Sequence, residues 1–387
     1  MNKNEIVERL ESFQQRLLQL LPQKFRPIFD TIILDARAYL MTGPRGVGKT
    51  TFLLSNIKNV HGLYFSADNP ITLSIPLFDL VETIFMQGYE QVFIDEIHNA
   101  KDWSIHVKAL YDSFPNKKII ISDSSSVLLR TGLGDLSRRF LIKRIPLLSL
   151  REYIYLKTNE ILPCFDPFNS TPSEMLESVK NINIMKAYRD YLKEGFRPIF
   201  LEGSYPERLW NIIEKIIYKD IPFFVPQLAE NHLRFMNAVI GHLAISKIPT
   251  VNVNSLCSKW ELGKRKLYQL LTAMEHTGLI RIIRKKNDTK VNSIGAKIFL
   301  EEPSIYYLFD SKIGNIRECY VTTLLQEGDK NVYASENEQN ADFIVDGIKL
   351  EVGGKNKNIK QADFVIKDDI DVPLRNTLPM WTLGFMY

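Results

Sequence analysis

The spacing of apolar residues changes along the chain and predicts where helices give way to strands. Six apolar residues recur at helical spacing near the start, which predicts an amphipathic helix over residues 5–21: Ile6, Leu10, Phe13, Leu17, Leu18 and Leu21. From about residue 32, short apolar runs alternate with helical stretches; the runs cover residues 38–42, 62–66, 91–95, 118–122 and 141–146. Runs of this length between helices are typical of a parallel sheet covered on both faces. The sequence therefore predicts an α/β fold in which residues 1–148 form a doubly wound parallel sheet.

The remainder of the chain is predicted to form three smaller domains. Residues 149–231 are rich in aromatic and charged residues at helical spacing, which indicates a small helical lid. Residues 232–311 are predicted to be a short helical domain that ends in a β-ribbon. Residues 312–387 mix one helix with strands and are predicted to form a small, separate α/β domain.

A glycine-rich run follows the first predicted strand and precedes an apolar helix. Its eight residues match the pattern G-x-x-x-x-G-K-[ST] at every fixed position: Gly43, Pro44, Arg45, Gly46, Val47, Gly48, Lys49 and Thr50. Glycines let successive backbone N–H groups close around a phosphate, and the following helix adds the positive end of its dipole. In such a loop Lys49 reaches the β- and γ-phosphates, and the Thr50 hydroxyl binds Mg²⁺. Together with Thr51, the loop is the predicted binding site for ATP or a similar nucleotide.

The second half of a nucleotide site is predicted at the end of the apolar run 91–95. Asp95 ends this run and Glu96 follows it. Asp95 can hold the magnesium ion through a water molecule, and Glu96 can orient and polarise the water that attacks the γ-phosphate. The alternative is that both residues are surface acids that cap the next helix. Their place after a strand of this apolarity favours the catalytic interpretation.

Three further features near this site have two interpretations each. The polar run Ser122-Asp123-Ser124-Ser125-Ser126 can sense the γ-phosphate or cap a helix. Arg138 and Arg139 can stabilise charge in a transition state, in the same chain or a neighbouring one, or be ordinary surface residues. For His98, a polar helix cap is favoured over a catalytic role.

Residues 250–290 match the layout of a winged helix-turn-helix. Residues 253–260 and 264–276 are predicted as helices, and residues 279–284 with 291–300 as a two-stranded wing. Nine basic residues gather there: Lys259, Lys264, Arg265, Lys266, Arg281, Arg284, Lys285, Lys286 and Lys290. A positive surface at the start of the second helix and at the wing tip suits phosphate contacts on double-stranded DNA, and five of the nine are the candidate contacts: Lys264, Arg265, Lys266, Lys285 and Lys286. The alternative is a winged helix that serves only for packing between domains.

The last segment carries three acidic residues in a pattern that metal-dependent nucleases use. Glu318 lies on a predicted helix, and Asp342 and Glu351 lie on two successive predicted strands. Two carboxylates so placed can be brought to one cation. Such sites usually end with a lysine two positions after the second acid, where this chain has Gly353; Lys355 and Lys360 lie further on. The sequence therefore favours a folded but inactive nuclease-like domain.

With these motifs assembled, the whole chain resembles a group of bacterial and archaeal AAA-superfamily ATPases. In that group a P-loop domain precedes a winged helix and a C-terminal domain of unknown function that is similar to restriction endonucleases. The matching segments include the phosphate loop, 93–97, 137–139, 146–153, 342–343 and 351–352.

The resemblance implies roles for five residues of this chain. Four of them have the nucleotide roles given above, and the fifth is an arginine that the group usually has before its next strand: Lys49, Thr50, Asp95, Glu96 and Arg139. The chain departs from the group at three positions. Asp123 stands where glycine is usual, His98 where glutamine is usual, and Gly353 where lysine is usual.

Composition and charge change this picture little. The chain has 387 residues, of which 45% are hydrophobic and 24% charged, and its net charge of +4 permits a nucleic-acid partner without requiring one. Its three cysteines, Cys164, Cys257 and Cys319, lack metal-ligand spacing and indicate thiols in a reducing compartment. No apolar run approaches the about 20 residues that span a bilayer, and the first residues are not typical of a signal peptide. We therefore expect a cytoplasmic protein with no membrane partner.

The sequence thus predicts a Mg²⁺-dependent switch protein that binds and hydrolyses ATP and associates with DNA through its winged helix. The first alternative is a signalling or scaffold ATPase whose C-terminal half binds protein. Besides the nucleotide and double-stranded DNA, the candidate partners are a protein or further copies of the chain in a homo-oligomer. The second, less favoured, is a metal-dependent nuclease coupled to ATP. The chain lacks an Asn-Lys-x-Asp run of the kind that recognises guanine, which favours ATP over GTP.

Overall fold

The computed structural model describes residues 2–58, 60–123, 136, 138–225, 228–246, 253–287, 297–309, 311 and 313–387. The serines at 124–126, Lys290 and the side chain of Lys259 therefore lie outside the described residues. The chain divides into two compact units, Met1–Pro146 and Leu147–Tyr387. The further division of the second unit into a lid, a winged helix and a C-terminal domain stays a prediction.

In its described residues, the first unit alternates helices with strands. They are α1 (Lys3–Gln19), β1 (Ala38–Thr42), α2 (Lys49–Ile57), β2 (Gly62–Ser66), α3 (Leu77–Met86), β3 (Gln91–Asp95), α4 (Trp103–Ser113), β4 (Lys118–Ser122) and β5 (Leu141–Arg144). Asn2 caps helix α1: its side chain accepts a hydrogen bond from Glu5 N, while the Glu5 carboxylate accepts one from Asn2 N. All five predicted strands are present, and the last ends before Pro146, which has no N–H to continue a ladder.

The five strands of the first unit form one parallel sheet in the order β2-β3-β4-β1-β5. Because β4 lies between β1 and β3, the segments that follow these three strands are neighbours at the carboxyl edge of the sheet. In open α/β sheets, ligands bind at this edge. The predicted α/β fold with a parallel sheet is therefore confirmed, and its strand order brings the phosphate loop and Asp95 to the same edge.

Four strands of the first unit, β1 to β4, are buried on both faces, whereas the edge strand β5 is mostly exposed. Leu40, Phe65 and Ile94 pack in a core with apolar residues of α1, α3 and α4. Their strand neighbours Tyr39 and Phe93 are equally buried. Side chains alternate between the two faces of a strand, so burial of successive residues requires cover on both sides. This explains why β1 to β4 are continuous apolar runs in the sequence.

The second unit contains most of the helices of the described chain. They are α5 (Leu150–Thr158), α6 (Pro172–Glu177), α7 (Ile184–Glu194), α8 (Tyr205–Lys215), α9 (Ile221–Phe224), α10 (Glu230–Ile245), α11 (Val253–Trp260), α12 (Lys264–His276), α13 (Pro303–Tyr307) and α14 (Ile313–Glu327). Helices α5 and α6 begin with capping boxes, Ser149 with Glu152 and Thr171 with Glu174. Among the described residues, no helix is long and apolar enough to cross a membrane.

Two sheets complete the second unit. Strands β6 (Ile280–Ile283) and β7 (Lys297–Leu300) form an antiparallel ribbon. Strands β8 (Val332–Ala334), β9 (Phe343–Val345), β10 (Ile348–Gly353), β11 (Phe364–Lys367) and β12 (Thr377–Pro379) form a mixed sheet in the order β12-β11-β10-β9-β8. Every residue of β6 and β7 is buried, so this part of the ribbon packs inside the unit. The order of α10, α11, α12 and the ribbon is the one expected of a winged helix, a class that stays a prediction.

Candidate nucleotide site

The phosphate loop follows β1 in a backbone conformation that requires glycine. Gly43, Gly46 and Gly48 have φ angles of 147°, 81° and 100°, which side chains of L-residues rarely allow. A Cβ atom on Gly43 would lie 2.3 Å from the carbonyl oxygen of Ile145. Helix α2 begins directly after Gly48, and the first N–H groups of a helix lack intrahelical partners. The loop therefore combines a tight turn with a helix N-terminus, which together suit an anion.

The Lys49 side chain is buried within the loop. Its Nζ donates hydrogen bonds to the carbonyl oxygens of Gly43, at 2.8 Å, and Pro44, at 2.9 Å. Burial lowers the pKa of Lys49 to about 8, against the opposing effect of the negative charges of Glu96 and Asp95. The ammonium group is thus held close to the backbone that would surround a phosphate.

A second buried cationic side chain, that of Arg26, is hydrogen-bonded to the backbone of the phosphate loop. Arg26 donates from Nη1 to the carbonyl oxygens of Val47, at 2.9 Å, and Pro146, at 2.8 Å. This arginine joins the loop to the segment that follows β5. Sequence reasoning missed Arg26, because nothing in its neighbourhood along the chain indicates that it contacts residues so far away.

Asp95 is the centre of a hydrogen-bond network at the end of β3. Its Oδ2 accepts hydrogen bonds from Thr50 Oγ1 at 2.5 Å and from the Tyr64 hydroxyl at 3.0 Å. Its Oδ1 accepts from Ser122 Oγ and, at 3.1 Å, from the backbone N–H of Glu96. A buried carboxylate with four donors has one preferred orientation. Sequence reasoning missed Tyr64, whose place beside β3 follows from the strand order.

The oxygens of Thr50 and Asp95 suit a magnesium ion. Mg²⁺ prefers hard oxygen ligands, and in nucleotide sites it is usually held by one or two protein oxygens together with the phosphates. Thr50 Oγ1 and Asp95 Oδ2 are such oxygens, lie 2.5 Å apart, and adjoin the phosphate loop. The residues present therefore fit the ion that the pattern implies.

Glu96 follows β3 with a left-handed backbone, at φ 49°. Its Oε1 lies 3.3 Å from Arg45 Nη1, and its Oε2 lies 3.6 Å from His98 Nδ1. The same His98 nitrogen lies 3.1 Å from Oδ1 of the buried Asp123. Within the described ranges, Glu96, His98 and Asp123 are the one group of three whose ligand atoms lie within 4.8 Å of one another and could hold a metal ion. The two residues that depart from the related group, His98 and Asp123, thus lie next to each other and close to the Glu96 carboxylate.

Arg139 lies away from the phosphate loop of its own chain. Its Nε and Nη2 donate to the two carboxylate oxygens of Asp112 at 3.0 and 2.9 Å. Asp112 is in the last turn of α4, which returns to the edge of the sheet where β4 begins. The phosphate loop is at the opposite edge. The structure does not bring Arg139 to the nucleotide site of the same chain, and a role toward a neighbouring chain stays a prediction.

The five candidate DNA contacts differ in exposure and in pairing. Lys264 and Arg265 are exposed and Lys266 is half-exposed, all in the first turn of α12. As far as the chain is described, no ion pair holds any of these three. Lys286 is exposed as well, whereas Lys285 is half-buried, with a glutamate oxygen 3.7 Å away. The start of α12 is therefore the more available group of charges.

Two basic residues that sequence analysis counted toward the positive surface are neutralised inside the second unit. Arg281 is buried and lies 2.8 Å from Glu301 and 2.9 Å from Glu327. Arg284 lies 2.6 Å from Glu275. The expectation that all nine basic residues form one positive surface is wrong for these two, because each pairs with a glutamate: Arg281 with two that lie further along the chain, and Arg284 with one at the end of α12.

Residues 35–154 match a protein family described as AAA domain. This segment contains the phosphate loop, the parallel sheet, Asp95 and Glu96. The match covers less than half of the chain and supports an AAA-type P-loop ATPase. The match therefore supports the predicted AAA-type class for this segment, while ATP hydrolysis, the winged helix and the nuclease-like domain stay predictions.

The chain also resembles individual proteins. It is 27% identical over 369 residues to the uncharacterized protein MJ1637 of Methanocaldococcus jannaschii, covering 84% of this chain and 76% of the relative. Among solved structures it is similar to a Walker-type ATPase of Pyrococcus abyssi, with 14% identity, 71% and 91% of the two chains covered, and a TM-score of 0.37. AMPPCP-bound DnaA from Aquifex aeolicus matches with 14% identity, 69% and 88% coverage, and a TM-score of 0.28.

Proposed function

We propose that the chain binds ATP with Mg²⁺ at the loop Gly43–Thr51 and hydrolyses it. The observation that carries this proposal is the 2.5 Å hydrogen bond between Thr50 and Asp95, which joins the loop to the end of β3. A magnesium ion held by these two residues would neutralise charge on the β- and γ-phosphates. We expect Lys49, whose Nζ donates to the carbonyl oxygens of Gly43 and Pro44, to contact the same phosphates.

Glu96 is the proposed catalytic base. The water oxygen attacks the γ-phosphorus, the bond to the β-phosphate oxygen breaks, and the proton of the water passes to the Glu96 carboxylate. In the structure this carboxylate lies 3.3 Å from Arg45. We therefore expect the pair to loosen when Glu96 turns toward the attacking water.

The test is Glu96→Gln, which keeps the size of the side chain and removes its basicity. We expect the ATP turnover rate to fall by about 10²- to 10⁴-fold, with ATP binding retained, because Thr50 and Asp95 are unchanged. Glu90→Gln is the matched control, since Glu90 is exposed and precedes the same strand at its opposite end. An unchanged turnover rate in Glu96→Gln would show that another group accepts the proton.

For Arg139 we propose action on the nucleotide of a neighbouring copy of the chain. The support is its place at the edge opposite its own phosphate loop, beside Asp112. Arg139→Ala should lower turnover, and mixing it with Lys49→Ala should restore part of the rate. In the mixture, the intact phosphate loop of an Arg139→Ala chain can lie next to the intact Arg139 of a Lys49→Ala chain. No recovery on mixing would contradict action between copies.

We propose that the start of α12 contacts the phosphates of double-stranded DNA, so that the nucleotide state of the first unit acts as a switch. Lys264, Arg265 and Lys266 support this, because they are concentrated on one helical turn and none has an ion-pair partner among the described residues. The competing candidate is a scaffold ATPase whose C-terminal half binds protein. That candidate is favoured by the burial of every residue in β6 and β7, which uses the ribbon for internal packing.

DNA binding measured over a salt series separates these candidates. The logarithm of the DNA association constant falls linearly with the logarithm of the salt concentration. The magnitude of this slope decreases by about one for each DNA phosphate that the protein no longer neutralises. Changing all three residues at the start of α12 to alanine should therefore lower the slope by up to about three. The matched control changes three exposed residues of the same types on α7, Lys186, Arg189 and Lys193. Equal slopes for the two triple variants would favour the scaffold ATPase.

A further inference from the structure

Three carboxylates meet in the C-terminal mixed sheet, although they come from different elements. Glu318 is on α14, Asp342 directly precedes β9, and Glu351 is in the middle of β10. Glu351 is fully buried and Asp342 is nearly so. The residue pattern implies a divalent cation at this place. Whether one fits depends on which positive groups are already there.

Three lysines surround these carboxylates. Lys357 Nζ lies 2.6 Å from Glu351 Oε1 and 3.6 Å from Asp342 Oδ2. Lys360 Nζ lies 2.7 Å from the same Glu351 oxygen. The third is Lys297 on β7, whose Nζ lies 2.8 Å from Glu318 and 3.9 Å from Asp342. Three negative and three positive groups therefore balance within the cluster.

Lys357 also occupies the space that a side chain at position 353 would need. A Cβ atom built on Gly353 would lie 2.6 Å from Cβ and Cγ of Lys357 and 2.7 Å from its Cδ. The glycine and the lysine are thus complementary: the absence of a side chain at 353 makes room for the Lys357 stem. The pKa of Lys357 is raised, because although burial lowers it, its contacts with Glu351 and Asp342 outweigh that effect.

A divalent cation does not fit this arrangement. Three carboxylates with a single lysine have a net charge of −2, which one divalent cation neutralises, whereas three lysines leave no net negative charge. Two ammonium groups also occupy the approach to Glu351 Oε1. As far as the residues are described, Glu318, Asp342 and Glu351 do not form a group whose ligand atoms could hold a metal ion.

We infer that Lys297, Lys357 and Lys360 replace the cation, so that the cluster is a metal-free ion-pair centre and the domain does not cleave nucleic acid with a metal. Lys297 comes from the β6–β7 ribbon, so the cluster also holds the ribbon to the C-terminal sheet. Glu351 Oε2 is buried and accepts no hydrogen bond from the described residues. Removing Lys357 and Lys360 would leave that oxygen, and a net charge of −2, to a divalent cation.

The test measures Mn²⁺ binding by the full chain in the absence of nucleotide. The concentration of free Mn²⁺ is read from its electron paramagnetic resonance signal. The single variant Glu351→Gln should bind as many Mn²⁺ ions as the wild type, and as tightly. The double variant Lys357→Met/Lys360→Met should bind one Mn²⁺ more than the wild type, with any residual affinity of the wild-type cluster at least about tenfold lower, because two positive charges next to the ligands are gone. Glu351→Gln added to that double variant should abolish the gain.

The matched control replaces two exposed lysines of the same region, Lys349→Met/Lys355→Met, and should gain no Mn²⁺ site. The inference is overturned if the wild type binds Mn²⁺ at a site that Glu351→Gln removes, or if it cleaves DNA or RNA with Mn²⁺ in a manner that Glu351→Gln abolishes. It is also overturned if the double variant folds, as judged by circular dichroism, yet gains no site. The wild-type comparison decides the question even if the double variant does not fold.

Discussion

Replacing Thr50 by alanine removes one oxygen from the proposed magnesium site and leaves the loop backbone in place. Thr50 Oγ1 lies 2.5 Å from Asp95 Oδ2. Residue 50 is exposed at the start of α2, so truncation creates no buried cavity. Asp95 keeps its hydrogen bonds from Tyr64 and Ser122 in the variant. The substitution therefore isolates the contribution of one hydroxyl group.

The magnitude follows from the charge of its partners. A hydrogen bond to a charged group contributes about 1.5–3 kcal/mol, and we take this range as the loss of binding free energy when one ligand of a cation disappears. Since about 1.4 kcal/mol corresponds to a tenfold change, Thr50→Ala should weaken binding of Mg²⁺–ATP by at least about tenfold, and by up to about 150-fold. Thr50→Ser keeps the hydroxyl and should bind nearly as tightly as the wild type.

Calorimetric titration with ATP, in Mg²⁺ and again in EDTA, measures this effect. The loss in Thr50→Ala should be present with Mg²⁺ and absent with EDTA, because only the metal ligand is removed. An equal loss in EDTA would mean that the loop itself is damaged. Tight binding of Mg²⁺–ATP by Thr50→Ala would refute the role of the hydroxyl as a ligand.

Three other predictions concern stability and reactivity in the second unit. Arg197 and Glu302 form a fully buried ion pair at 2.8 Å. Arg197→Met leaves the Glu302 charge buried without its partner and should lower the free energy of unfolding, measured in urea, by about 3–5 kcal/mol. A decrease below about 1 kcal/mol would contradict this prediction. A Cβ on Gly195 would lie 2.7 Å from a backbone atom of the preceding turn, so Gly195→Ala should cost about 1–3 kcal/mol. The helical control Gly241→Ala meets no atom within 4 Å and should stabilise by about 0.5–1 kcal/mol. Burial raises the pKa of Cys319, so alkylation followed by mass spectrometry should modify it only after unfolding.

Features that depend on neighbouring residues could be predicted from the sequence alone. The five strand positions, the glycine-rich turn and the place of Asp95 at a strand end follow from apolar runs and from the backbone needs of glycine. These signals are local, because burial of a strand on both faces makes it a continuous apolar run. The helices α11 and α12 were predicted over the same residues that the structure has, since their apolar faces repeat at helical spacing.

Which side chains meet depends on the tertiary structure. The strand order places β4 between β1 and β3, which brings Ser122 to Asp95, and it places Tyr64 on the other side. Several strand orders are compatible with the same alternation of helices and strands, so the sequence pattern does not select one.

The same reason explains the charged residues of the C-terminal region. The spacing typical of nucleases predicts a lysine two positions after Glu351, where this chain has Gly353. Lys357 instead reaches the Glu351 carboxylate from the following loop, through the space that Gly353 leaves open. Arg281 was counted as surface charge and is buried against two glutamates from other elements. The charge of a side chain is visible in the sequence, but its partner is chosen by packing between residues far apart in the chain.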